Sequence, residues 1–212
     1  MTETLFQRTD LDRTIASLKQ DLLDDDGPRI STMRNHRFAI VPYLPTDEYR
    51  LRQHIHRLSA ELRHEGWVVL SISLQKLLLE RVRSLGDRNV QRLIDREKML
   101  FEQSPEQAIN YLKGKLARHI EGPDGIAADV SQTICAFADT HPDKAERAVA
   151  FVGRAGALYP FFRTSALLKH LDGRTRGIPV VLLYPGLRTG HNSLSFMGEV
   201  PAETDYRPRI YT

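Results

Sequence analysis

The sequence predicts an α/β fold: a mainly parallel sheet of about five strands covered by helices and carrying a helical insert. Three observations lead there. The stretch from Arg147 to Gly198 reads strand, glycine turn, helix, strand, glycine turn, strand. Its strand candidates, Ala148–Val152 and Ile178–Tyr184, are apolar throughout rather than alternating, which marks strands buried on both faces, and two such strands joined by a helix normally pair parallel. The order strand, helix, strand also occurs between residues 38 and 72, so both halves can share one sheet.

The elements follow from local signals. Leu5, Leu11, Ile15, Leu18, Leu22 and Leu23 recur at helical spacing and predict an amphipathic helix over residues 4–23, ended by Gly27-Pro28. Phe38–Tyr43 is the first strand. Thr46 or Asp47 caps the next helix, whose first-turn acids favour the macrodipole, and Gly66 sits just past its end. Trp67–Ile72 is the second strand. An insert over residues 75–140 holds three or four helices packed on one face or edge of the sheet. Within it, Ser104-Pro105-Glu106-Gln107 is a capping box with proline at the first helical position, and the turn Gly122-Pro123-Asp124-Gly125 leads into a helix from Ile126 to about Asp139. After the third strand, Gly153-Arg154-Ala155-Gly156 offers two residues that accept positive φ. Pro160 then opens a helix with Phe161, Ala166, Leu167, Leu168 and Leu171 on its apolar face, stopped by Gly173.

At 212 residues and 41% apolar content the chain can bury a core as one domain, 1–212. It shows no apolar run of the roughly 18 residues that span a membrane. The start, MTETLFQRTD, lacks a basic-then-apolar signal, so a cytoplasmic location is expected. The single cysteine, Cys135, excludes an internal disulfide and a Cys-cluster zinc site, and reads as a helix core position. Charge is unevenly spread. Residues 1–144 carry 21 Lys and Arg against 22 Asp and Glu, a net of −1, whereas residues 145–212 carry 9 against 5, a net of +4. Arginine supplies 23 of the 30 basic residues, and its planar fork suits phosphate or carboxylate.

The strand order resembles a Rossmann or P-loop core, yet the P-loop signature is absent. In its place stands the Gly153–Gly156 turn, between a strand and a helix, where backbone amides can meet an anion with Arg154 and Arg163 supplying charge. The same glycines serve equally to turn the chain tightly and pack the helix close. Tyr159 and Tyr184 lie in matched Tyr-Pro pairs and share a rim if their strands are neighbours. Arg188, His191 and Asn192 occupy the loop at that rim. Candidate ligand- or anion-binding residues are therefore Gly153, Arg154, Gly156, Tyr159, Arg163, Tyr184, Arg188 and His191. The eight histidines show no metal spacing; His54 and His56 read as surface residues. A Gly-x-Ser-x-Gly elbow and a nuclease-like carboxylate cluster are both missing, so neither catalysis nor a cofactor is expected.

Residues Ala157–Arg163 (ALYPFFR) after the glycine turn, Ile178–Gly186 (IPVVLLYPG), Ser193–Gly198 (SLSFMG) and the closing Tyr206-Arg207 segment resemble the BrxB family, a small component of bacterial BREX phage-defence systems. The resemblance is strongest over residues 145–212, while Phe38–Tyr43 and its following helix fit the family's order more loosely. Pro208 is a departure, since members usually close on an apolar strand; proline lacks a ladder donor and confines that strand to an edge or bulge. The resemblance implies a non-enzymatic accessory or assembly role among BREX proteins, which methylate host DNA and exclude phage DNA. It further implies the alkaline-phosphatase-like PglZ protein as direct partner and DNA contact as part of a complex. Two other classes stay open: a nucleic-acid-binding module using the basic C-terminal third, and a degenerate nucleotide-sensing domain at the Gly153 turn.

Overall fold

The structure, a computed structural model, describes residues 3–24, 28–30, 37–162, 164–188, 193–199 and 208–211. Helix α1 (Glu3–Leu22) precedes strand β1 (Phe38–Tyr43), helix α2 (Glu48–His64) and strand β2 (Val68–Ser73). Helices α3 (Leu74–Ser84), α4 (Asp87–Gln103), α5 (Pro105–Ile120) and α6 (Ile126–Thr140) form the insert. Strand β3 (Ala148–Gly153), helix α7 (Thr164–Leu171) and strands β4 (Val180–Arg188), β5 (Leu194–Phe196) and β6 (Arg209–Ile210) complete the described elements. The sheet runs β2-β3-β4-β1-β6, parallel throughout, with β5 folded back antiparallel on the end of β4.

Alternation along the strands assigns each residue to one of two cores. Phe38 and Ile40 of β1, with Val180 and Leu182 of β4, pack against Leu78, Leu116, Val130, Ile134, Leu167 and Leu171 of the α3–α7 layer. Ala39, Val41, Val181 and Leu183 face the other way, against Leu11 and Leu18 of α1 and Leu51, Leu58 and Leu62 of α2. A strand covered on both sides has no solvent face, and this is why β3 and β4 read as continuous apolar runs.

The insert contains four helices. Ser73 Oγ caps α3 by accepting from the Lys76 N–H at 3.3 Å, and Ser104 Oγ accepts from the Gln107 N–H at 3.4 Å, as the capping box predicts. Arg81 of α3 fastens the α5–α6 turn. Its guanidinium pairs with Asp129 and donates to the carbonyls of His119, Asp124 and Gly125, each at 2.7 Å. Helices α4 and α5, joined through Ser104 alone, lie against each other as an arm, and α4 contains no buried residue. Among the described residues no helix is long and apolar enough to cross a membrane.

Four expectations need correction. Pro160 does not open a helix: Ala155–Leu158 makes a single 3-10 turn, the Tyr159–Pro160 bond is cis, and α7 starts at Thr164. Leu158 and Phe162 are both buried, so the chain turns to seat them before the helix begins. Nor do Gly153 and Gly156 take positive φ, which falls on Arg154 at 63°. Their small size is used instead: a Cβ would stand 3.3 Å from Leu183 Cδ1 at Gly153 and 3.2 Å from Met197 Sδ at Gly156. Cys135 is only half-buried, with Sγ 3.6 Å from the Arg174 carbonyl rather than in a core. His54 is also drawn inward, its Nε2 3.1 Å from Asp12. The last strand behaves as Pro208 requires. It lies at the sheet edge beyond β1, and the Tyr211 N–H reaches the Ile40 carbonyl at 2.9 Å.

Gly186 sets how closely β5 approaches β4, because a Cβ there would lie 2.0 Å from the Ser195 carbonyl oxygen and 2.7 Å from Tyr184 Cε1. Gly186→Ala is expected to cost about 2–3 kcal/mol by overpacking, read as a lower urea midpoint at unchanged slope. Gly114 inside α5 has open space around its Cα. Gly114→Ala is expected to stabilise by about 0.5–1 kcal/mol in the same titration.

Candidate functional site

Parallel strands deliver their carboxyl ends to one rim, the usual ligand-binding edge of an α/β sheet. The register places Tyr43, the last residue of β1, beside Pro185 of β4, and Ser73, the last of β2, beside Gly153 of β3. The chain leaves β1 toward the α2 layer and leaves β2 and β3 toward the opposite layer.

Four side chains from these exits form one network. The Tyr43 hydroxyl donates to Glu48 Oε2 in the first turn of α2. Glu48 Oε1 accepts from Arg154 Nη1 at 3.4 Å, and Arg154 directs Nη2 and Nε at Gln75 Oε1 on α3, at 2.8 and 3.2 Å. Arg154 reaches this position from a left-handed backbone conformation just past β3. Its fork is thus engaged by groups of the chain itself. Burial pushes the Tyr43 hydroxyl well above the ordinary tyrosine range, helped by the hydrogen bond to Glu48 and that carboxylate's charge, with Arg154 opposing.

Arg188 stands elsewhere on the rim. It lines a groove of about 220 Å³ between α1 and the ends of β1 and β4, with Asp10, Thr14, Asp47, Tyr43 and Tyr211 among the other walls. Tyr211 donates to Asp21 Oδ2 at 2.8 Å, and Arg209 pairs with the same oxygen at 2.6 Å while covering the Tyr211 ring at 4.8 Å. Burial and the bond to Asp21 raise the Tyr211 hydroxyl as well.

Tyr159 and Tyr184 do meet at the rim, through Phe196 of β5. Their ring centroids lie 6.1 and 5.4 Å from it; Tyr184 is buried and Tyr159 is partly exposed. Gly153 and Gly156 sit at the contacts with Leu183 and Met197 described above. Arg163 and His191, with Asn192, lie outside the described residues. The structure therefore brings Arg154 together with Tyr43, Glu48 and Gln75, three residues that sequence reasoning did not single out. Glu48 had been legible only as a first-turn acid favouring the helix dipole.

Part of the basic excess of the C-terminal third is met by acids from outside it. Arg154 reaches Glu48, Arg176 reaches Asp139 at 2.9 Å, and Arg209 reaches Asp21. Among the described residues no group of three or more His, Cys, Asp or Glu is arranged to hold a metal ion.

Both raised tyrosines bear on alkaline stability. A hydroxyl that ionises later in the folded chain than in the unfolded one leaves stability intact below about pH 10, and stability falls above it as the unfolded state alone loses the proton. With two such groups the fall is expected to approach about 2.7 kcal/mol per pH unit between about pH 10 and 12. Tyr43→Phe is expected to halve that slope in urea titrations across the range; an unchanged slope would mean that Tyr43 ionises freely in the folded chain.

A family model described as BREX protein BrxB matches residues 70–210. Among curated proteins, and among solved structures, none matches the chain.

Proposed function

Since the chain belongs to the BrxB family, and so to BREX anti-phage defence, we propose that it acts there, in the cytoplasm, as a non-enzymatic assembly protein with PglZ as its direct partner. The observation that carries this reading is the α4–α5 arm. On α4, Ile94 and Phe101 are 39% and 54% exposed and lie seven residues apart, hence on one helical face; Ile109 of α5 is 40% exposed. Apolar side chains left in water mark a contact surface, and a central aromatic is the common anchor of such a surface. The residues matched by the family model include the whole arm. The rim supports the same reading from the other direction, because Arg154 is held by Glu48 and Gln75.

The test is co-purification of PglZ with the tagged protein after nuclease treatment and in high salt. Ile94→Glu with Phe101→Glu is expected to weaken capture by tenfold or more, about 1.4 kcal/mol or above, with an unchanged melting curve because neither side chain is buried. Loss of the reading would follow from no PglZ in the eluate, or from undiminished capture by the double variant.

A further inference from the structure

The outer face of α2 carries a run of positive charge that net-charge counting conceals. Tyr49, Arg52, Gln53, His56, Arg57 and Arg63 follow helical spacing and are all exposed. Three acids of α1 and α2 are engaged by other groups. Asp12 is taken by Arg50 at 2.7 Å and by His54, Glu61 by Lys19 at 2.7 Å, and Glu48 by Arg154. Among the described residues Arg52 and Arg57 have no carboxylate partner; Arg52 lies 5.6 Å from the Tyr49 ring centroid. Arg63 donates only to the Val69 carbonyl, at 3.3 Å, and so keeps its charge. Just past the helix, Arg147 and Lys144 contact the carbonyls of Glu65 and Gly66, each at 3.4 Å. Two more cations therefore stand where α2 ends, together with three exposed acids: Glu65, 3.9 Å from His64, Asp143, and Glu146, 3.7 Å from Arg37.

We propose that this face of α2 docks the phosphate backbone of duplex DNA without reading its sequence. From Arg52 to Arg63 the helix rises about 16 Å, which matches about five nucleotides of one strand. Guanidinium forks suit phosphate oxygens, and a polyanion is the partner that a charged face with one aromatic selects. A membrane surface fits poorly, because the apolar side of α2, Leu51, Ile55, Leu58 and Leu62, is buried against the sheet and leaves nothing to insert. Single strands need stacking platforms; the face offers only Tyr49, already paired with Arg52.

The experiment is fluorescence anisotropy with a labelled duplex of mixed sequence, about 20 base pairs, across about 25–200 mM KCl. Contact with about four phosphates gives a log–log salt slope near −3.6. Arg52→Gln with Arg57→Gln is expected to reduce the slope by about two and to weaken binding tenfold or more at low salt. Arg52→Lys with Arg57→Lys is expected to keep the slope, and Arg174→Gln, an exposed arginine of the C-terminal third, to leave it unchanged. No binding at the lowest salt, a slope indifferent to the double Gln variant while its circular dichroism is native, or binding to vesicles with 30% phosphatidylglycerol in place of DNA would each overturn the proposal. The assay uses the purified protein alone, so its outcome is independent of PglZ capture.

Discussion

Strand β4 is the constraint on which the rest of the structure depends. It pairs β3 on one side, β1 on the other and β5 at its end, and its residues Val180 to Tyr184 are buried on both faces. At about 25 cal/mol per Å², a strand of this composition is stabilised only when both faces leave water. Two helical layers are therefore obligatory, and the chain must send connections to both sides of the sheet. Helix α2 on one side and α3–α7 on the other meet that requirement. The same crossing of sides brings Tyr43, Gln75 and Arg154 to one rim, since each follows the end of a different parallel strand.

At that rim the chain supplies its own anion. A guanidinium at the carboxyl edge of a parallel sheet, next to a 3-10 turn and a glycine, is placed where folds of this kind hold a phosphate. Here Glu48 occupies that role, itself held by Tyr43. Meanwhile β5 folds back over the end of β4, and Met197 approaches Gly156 so closely that a Cβ would displace its sulfur. The glycines thus serve close approach. Partial exposure of Arg154 and Glu48, 36% and 29%, keeps the ion pair modest in energy, and burial of Tyr43 gives the network its rigidity.

Much of this was legible in the residues, and the exceptions share a cause. Phe38–Tyr43 and the Ser104 cap were read at the correct places because period and capping are local properties. The parallel sheet was legible because continuous apolar runs admit few other solutions. Pro160 misled because proline fits a turn as readily as a first helical position, and only the burial of Leu158 and Phe162 decides between them. The rim network was invisible for a different reason: Glu48 and Arg154 are 106 residues apart, and no local signal ties them. Charge by segment failed in the same way. Arg209 answers Asp21 and Arg176 answers Asp139, so part of the apparent basic excess of the last third is met by acids from elsewhere in the chain, while Arg52 and Arg57, without a carboxylate partner among the described residues, lie on α2, in the first two thirds, whose net charge is −1.

The two exposed surfaces then acquire a geometric relation. The α4–α5 arm belongs to the layer that includes Leu116 and Ile120, whereas α2 belongs to the layer on the other side of the sheet. One is apolar and suits a protein partner; the other is cationic and suits a polyanion. Because the sheet stands between them, occupation of one does not obstruct the other. For the two proposed contacts this arrangement gives the fold a physical reason: a sheet covered on both faces carries two dissimilar surfaces on separate helical layers.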